Sequence, residues 1–184
     1  MLTLKFSPFP VLETERLVLR KLLATDRQMV FEIRSNPETM QYIPRPMAKT
    51  IEDADALIDM INGFADRDEK INWAITEKGN DTMVGMIGYH QFKPESDRAE
   101  VGYVLHHAYL RKGIAQEALK AVLDYGFDVM KAHSIEAIIR PENVASRKLV
   151  ENLGFVQEAN FKDYVFHNDR YWDETVYSLI NPAG

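Results

Sequence analysis

The chain has no cysteine among its 184 residues, which excludes a disulfide framework, a thiolate-bound metal cluster and a cysteine nucleophile. A reducing compartment fits that absence, and a cytoplasmic location is the expectation. No stretch approaches the ~20 consecutive apolar residues of a membrane-spanning helix, and the amino terminus lacks a charged segment followed by an apolar one. No membrane partner is therefore expected. Basic residues are in the minority, 22 Lys+Arg against 28 Asp+Glu, for a net charge of −6 and a pI near 5.4. That balance argues against nucleic acid as a partner, because holding phosphate backbones requires a basic surface. It leaves room for one local cationic site. Glycine and proline are sparse, at 9 and 8 residues, and no repeat, linker or low-complexity tract is visible.

What is present is globular in composition, 46% hydrophobic and 27% charged, and the length suits a single domain spanning residues 1–184. Alternation over Arg16–Lys21 predicts a half-buried strand. Ala24-Thr25-Asp26 offers a cap to a helix through Met29–Ile33, which should stop before Asn36-Pro37. Thr50-Ile51-Glu52-Asp53 reads as a capping box opening a second helix through Ile61 or Phe64. The period then changes to that of strands: 72–76 and 83–89, joined through Gly79-Asn80-Asp81, and 99–105 after a polar turn. The longest apolar stripe, Ala115, Ala118, Leu119, Val122, Leu123 and Met130, marks a helix starting near Gly113. A strand over 133–139 completes a crossover unit, pairing with the strand at 100 in parallel or across a short gap. A short helix over 145–151 ends at Gly154, and 155–165 with 171–179 form a hairpin around His167-Asn168-Asp169. The sum is an α+β domain with a mostly antiparallel mixed sheet, flanking helices and a central β-α-β crossover.

The sharpest local feature is Leu110-Arg111-Lys112-Gly113-Ile114-Ala115, between a strand and the long helix. Free amides at a helix start, helped by the helix dipole, hold anions, and a glycine lets a pyrophosphate approach the backbone. Neither G-x-x-x-x-G-K-[ST] nor G-x-G-x-x-G occurs, which removes the P-loop and dinucleotide readings.

In order and spacing, the strand Ala99–Leu105, the segment Arg111–Ala115, Asn143-Val144-Ala145-Ser146 and Glu151-Asn152-Leu153-Gly154-Phe155 resemble the GCN5-related N-acetyltransferase (GNAT) superfamily. Thr14-Glu15-Arg16-Leu17-Val18-Leu19-Arg20 and Ala99-Glu100-Val101-Gly102-Tyr103-Val104-Leu105 resemble its RimJ/RimL-like branch of ribosomal-protein N-terminal acetyltransferases. The resemblance runs from about residue 14 to 179. It implies the acyl-CoA N-acyltransferase fold and acetyl-CoA as cosubstrate, with no metal. Arg111, Lys112, Gly113, Ile114 and Ala115 would cradle the coenzyme pyrophosphate. Leu110 departs from the family's side-chain donor at that point, and Arg111 or Lys112 would compensate. Val104 and Leu105 would pair their backbone with the pantetheine arm as an added strand does, and Asn143 and Ser146 would contact the coenzyme from the other side.

Attack of an amine on a thioester requires removal of a proton from the amine and a donor to the developing oxyanion. Glu100 is the candidate base, directly or through a water, set against the ordinary alternative of a strand carboxylate in a cross-strand ion pair. The Val104 or Leu105 amide would polarise the thioester carbonyl. Many family members carry a tyrosine on the short helix to protonate the leaving thiolate; here Val150 stands at that position. Ser146, or a water it holds, is the remaining candidate, set against a first-turn hydroxyl that bonds local backbone. His106-His107 cannot converge on a metal. Trp73, Tyr42 and Tyr89 would line an acceptor pocket or, more ordinarily, belong to the core, and the acidic run from Glu52 to Glu69 reads as the wet face of a helix.

The expected activity is acetyl transfer from acetyl-CoA to a primary amine by direct attack in a ternary complex. The partner would be a protein N-terminal α-amine or a small-molecule amine, with specificity in Tyr42–Phe64 and in the hairpin Phe161–Trp172, and the protein a monomer or homodimer. The competing reading is a non-catalytic acyl-CoA-binding regulatory domain.

Overall fold

The computed structural model describes residues 1–182. Its centre is an eight-stranded sheet: β1 (Leu12–Glu13), β2 (Leu17–Arg20), β3 (Ile71–Glu77), β4 (Asn80–Lys93), β5 (Arg98–Leu105), β6 (Ser134–Ile139), β7 (Val156–His167) and β8 (Arg170–Ile180). They are ordered β1-β2-β3-β4-β5-β6-β8-β7, and every neighbouring pair is antiparallel except β5 and β6. The helices are α1 (Arg27–Ser35), α2 (Pro37–Met40), α3 (Ile51–Asp66), α4 (Ile114–Asp128) and α5 (Val144–Asn152).

Side-chain alternation along β3 decides which face each helix covers. Ile71, Trp73 and Ile75 enter the larger core, where α4 supplies Ala118, Leu119 and Val122. Ala74 faces the other way, into a smaller core with Val30 and Ile33 of α1 and Ala54, Ile58 and Ile61 of α3. In β4 the register slips between Gly85 and Met83, leaving Val84 as an extra residue. The slip turns Val84 into the larger core and Met83 into the smaller one, the exchange of faces a bulge produces. A second slip leaves His90 without a partner between Tyr89↔Val101 and Gln91↔Glu100.

Helix boundaries follow local chemistry. The Asp53 carboxylate accepts from the Thr50 and Lys49 amides at 3.0 and 2.7 Å, fixing the start of α3; these bonds hold its pKa below the usual value. Pro37 ends α1 as expected, and then opens α2, a turn the sequence reading did not anticipate. Asn36 is its N-cap, accepting from the Thr39 amide at 3.0 Å, and a proline in the first turn loses no hydrogen bond. β4 extends to Lys93, four residues past the expected end, because the strand resumes beyond the His90 bulge. Asn168 and Asp169, both left-handed at φ +52° and +58°, make the β7–β8 turn, the geometry that matches hairpin twist.

The parallel pair creates the site. β5 and β6 match only at Arg98↔Ser134, Ala99↔Ile135 and Glu100↔Glu136. Beyond that β5 continues along β4, β6 continues along β8, and the sheet opens between them.

Candidate functional site

The open side of β5 presents unpaired backbone. His106 N donates to Val84 O at 2.9 Å, and with Leu105 opposite Gly85 and Val104 opposite Met86 the alternation of an antiparallel ladder follows. Val104 turns its amide and carbonyl to β4. Val101 turns its amide to β6 at the last matched residue, and Tyr103 and Leu105 turn theirs to the opening. Of the two residues expected to meet an extended ligand, Leu105 therefore offers a free amide, whereas the Val104 side chain packs at the edge of the smaller core.

Beyond the end of β5 the chain enters the segment expected to hold an anion. Arg111 is left-handed at φ +61° and Gly113, the N-cap of α4, at φ +77°. No side chain caps α4, so the first-turn amides, those of Ile114 and Ala115 among them, stay available to a ligand. Arg111 and Lys112 are exposed, and the Lys112 ammonium lies 4.8 Å from the Tyr109 ring centre. Arg16, to which the sequence reading gave no role, braces this loop. Its Nη1 donates to Lys112 O at 3.1 Å, its Nε to Glu117 at 2.6 Å, and a Cβ on Gly113 would stand 3.2 Å from its Nη2. Burial raises the Glu117 pKa, but bonds from Thr14 and from the backbone and side chain of Arg16 outweigh it and bring the carboxyl below its usual range. The signal for Arg16 lay in the strand motif, but nothing local tied it to residue 112.

Opposite, across the opening, α5 begins at Asn143, whose Oδ1 accepts from the Ser146 amide at 3.1 Å. Val150 is 0% exposed in the larger core and carries no proton to give. A different phenol reaches this helix: Tyr103 extends from β5, and its hydroxyl donates to Ser146 O at 3.4 Å. Burial pushes its pKa up to about 12, so it stays an O–H donor at neutral pH. The Ser146 side chain meets the Tyr103 phenol, a contact that opposes part of the effect of burial on that hydroxyl.

Glu100 is the last residue of the β5–β6 match, and it is half-buried. Its neighbour Glu136, 4% exposed, is the carboxylate that is ion-paired, to Lys93 at 2.5 Å and Arg98 at 3.3 Å. Among the described residues Glu100 forms no ion pair. Burial, then the charge of Glu136, raises its pKa above the usual carboxylate range. Glu100 and Tyr103 point to opposite faces of the sheet, since Tyr103 packs against the larger core with Ala99, Val101 and Leu105 and side chains alternate along a strand.

Glu100 lines an open cleft of about 430 Å³ with His90, Gln91, Arg45 and Lys70. His90, the extra residue of the second bulge, lies over Gly102, where a Cβ would come within 2.5 Å of its ring. Residue 90 keeps solvent exposure at the rim of the cleft; the protein packed around it and the charges of Lys70 and Arg45 push its pKa down to about 4, which favours the neutral imidazole. No pattern in the sequence marks His90, because a bulge is set by the pairing of two strands.

The other features separate cleanly. Trp73 and Tyr89 are core residues; Tyr42 is partly exposed, its hydroxyl donating to Glu142 O at 3.4 Å. The His106 Nδ1 accepts from Ala108 N at 3.3 Å, and its Nε2 lies 3.2 Å from Glu32. No helix among the described residues is long and apolar enough to cross a membrane.

The chain matches the acetyltransferase (GNAT) domain family over residues 16–156. It is 32% identical over 174 residues to the uncharacterized N-acetyltransferase YoaA of Bacillus subtilis, covering 95% of this chain and 98% of that one. A GNAT-family acetyltransferase of Bacillus anthracis has a similar solved structure, with a TM-score of 0.84 at 33% identity, covering 94% of this chain and 99% of that one. The ribosomal-protein-serine acetyltransferase of Escherichia coli is 28% identical over 100 residues, covering 54% of this chain and 56% of that one.

Proposed function

The chain belongs to the acetyltransferase (GNAT) domain family and is an acetyl-CoA-dependent N-acetyltransferase; from that premise we propose that it acetylates a primary amine by direct attack, with Glu100 as the base and the acceptor entering on the Glu100 face of the sheet. The observation that carries this reading is the opening of the sheet after Glu100↔Glu136. It puts three requirements of the reaction at one place: unpaired strand amides, a helix start for an anion, and a carboxylate without an ion pair.

Residues Arg111–Ala115 hold the pyrophosphate through α4 amides, with Arg16 keeping Lys112 and Gly113 in place. An extended pantetheine pairs with the free edge of β5, and the Leu105 amide polarises the thioester carbonyl. Asn143 and Ser146 flank the coenzyme from α5. Glu100, whose pKa is raised by burial and by the charge of Glu136 and which is a stronger base for it, takes the proton of the amine directly or through a water. Tyr103 or Ser146, on the other face, returns a proton to the leaving sulfur. With base and acid on opposite faces of the sheet, the amine and the thiol need not compete for one position. Transfer is direct because the chain has no cysteine to carry the acetyl group.

A protein N-terminal α-amine is the first acceptor class, supported by the E. coli relative that acts on a ribosomal protein. A small-molecule amine is the second, supported by a 25% identical relative from Vibrio cholerae, a spermidine N(1)-acetyltransferase. Free-thiol release from acetyl-CoA, measured with a panel of peptides and amines, tests the reading. Turnover with at least one acceptor is expected. Thermal stabilisation by coenzyme A with no thiol release across the panel would favour a non-catalytic acyl-CoA-binding domain instead.

A further inference from the structure

At the carboxyl end of β6, Arg140 is 4% exposed, and its Nη2 has no hydrogen-bond partner. Its Nη1 donates to Gln41 O at 3.1 Å, and its guanidinium lies 3.9 Å from the centre of the Trp172 ring. The same ring takes a second guanidinium, that of Arg170, at 3.1 Å. The Trp172 indole is itself fixed, donating to His167 O at 2.9 Å. Among the described residues neither arginine forms an ion pair.

Two guanidiniums on one indole with no contacting carboxylate is an arrangement that electrostatics opposes. Burial and the charge of Arg170 pull the Arg140 pKa down; Glu174 and Glu142 counter this from a distance. Glu174 is weakened for that task, since burial raises its own pKa. An indole face accommodates one cation well, and the buried Nη2 N–H of Arg140 still lacks an acceptor; with two positive charges at the ring, an anion is the acceptor that gains most there. Planar, forked donors favour a planar, two-oxygen anion, and a carboxylate meets that geometry.

Position says where that carboxylate comes from. Arg140 directly follows β6 and continues the alternation of Glu136 and Ile138, which puts it on the Glu100 face. It is the meeting point of the 41–42 loop, through Gln41 and through Tyr42 to Glu142, and of the β7–β8 hairpin, through Trp172. The coenzyme segment, Arg111–Ala115, lies at the end of a different strand. We propose that Arg140, Arg170 and Trp172 recognise a carboxylate carried by the acceptor, so that the preferred acceptors are amines bearing an acidic group. This rests on the acetyl-transfer reading above and narrows its acceptor class. Exposed Arg170 would engage the anion directly, and the buried charge of Arg140 at the same indole would strengthen the attraction.

The test compares acceptors that differ only in charge: L-glutamate with L-glutamine, L-aspartate with L-asparagine, and tripeptides with the acid or the amide in second position. At least a tenfold higher kcat/KM for the acids is expected, falling below threefold in Arg170→Met and Arg140→Gln. Arg170 is exposed, so its variant keeps the test valid if the Arg140 variant fails to fold. Equal rates for acids and amides, or a preference that survives Arg170→Met, would overturn the proposal. If no amine is turned over, the acetyl-transfer reading fails separately. Calorimetry with N-acetyl-L-glutamate then judges the anion site: binding that Arg170→Met abolishes supports it, and no binding refutes it. Finally, wild type and Arg170→Met are compared for coenzyme A against dephospho-coenzyme A. A selectivity that the variant loses would assign the guanidiniums to the coenzyme phosphate and overturn the acceptor assignment.

Discussion

Tyr103 and Ser146 stand on opposite sides of the β5–β6 opening, yet the Tyr103 hydroxyl donates to the Ser146 carbonyl at 3.4 Å. A strand phenol therefore reaches the first turns of the helix on which Val150 is buried and cannot donate. The contact sets a phenol beside Ser146, on a helix whose Val150 cannot donate.

Tyr103→Phe removes the hydroxyl and keeps the ring in the core. If Tyr103 protonates the leaving thiolate, kcat for thiol release should fall by about tenfold to a hundredfold, at the lower end of general acid effects. The melting temperature should move by only a few degrees, because one long hydrogen bond is lost. Ser146→Ala serves as the comparison. A large loss there with full activity in Tyr103→Phe would transfer the role to Ser146.

Glu100→Gln should lower kcat by at least a hundredfold if the carboxylate is the base. The sign of the pH effect is fixed by its raised pKa. A base must be ionised, so the acidic limb of the wild-type rate profile should lie above the ~4.3 of an ordinary glutamate. In the variant that limb should disappear. An unchanged rate and profile would show that Glu100 does not accept the proton.

Gly113→Ala forces a side chain into left-handed backbone at φ +77°, with its Cβ 3.2 Å from Arg16 Nη2. The strain costs about 1–2 kcal/mol, and the α4 amides should lose their alignment. Calorimetry should show weaker coenzyme A binding by about tenfold. Arg16→Met should weaken it in the same direction while leaving the acceptor KM in place. Wild-type affinity in both variants would remove the loop from the pyrophosphate site.

His90 is neutral in the fold down to about pH 4, whereas in the unfolded chain it takes a proton near 6.5. The unfolded state therefore binds more protons between these values, and stability should fall as pH drops from 6.5 to 4. His90→Gln should reduce that loss, measured as the difference in melting temperature between pH 7 and pH 5. Gly102→Ala should displace the ring, whose Cδ2 and Nε2 a Cβ would approach to 2.5 Å. A pH dependence identical to wild type in both variants would show that His90 titrates normally.

The sequence by itself determined whatever is settled within a turn or a strand. Asp53 at the start of α3, Pro37 stopping α1, Asn143 capping α5 and Gly113 opening α4 each act on backbone a few residues away, so their chemistry is legible locally. Helical spacing likewise separated the buried positions of α4 from the exposed ones. The element order was enough to match the coenzyme segments to a family pattern. Tertiary structure alone decided what depends on strands and loops meeting across long separations. Whether β5 and β6 pair fully or part after Glu100, whether Leu105 or Val104 keeps a free amide, and whether His90 bulges over Gly102 are all matters of register, which no single strand encodes. Likewise, Arg140 meets Gln41, Trp172 and Arg170 only because β6 ends where a distant loop and the β7–β8 hairpin converge. A guanidinium without a counter-ion cannot be recognised until every carboxylate that could have reached it has been placed.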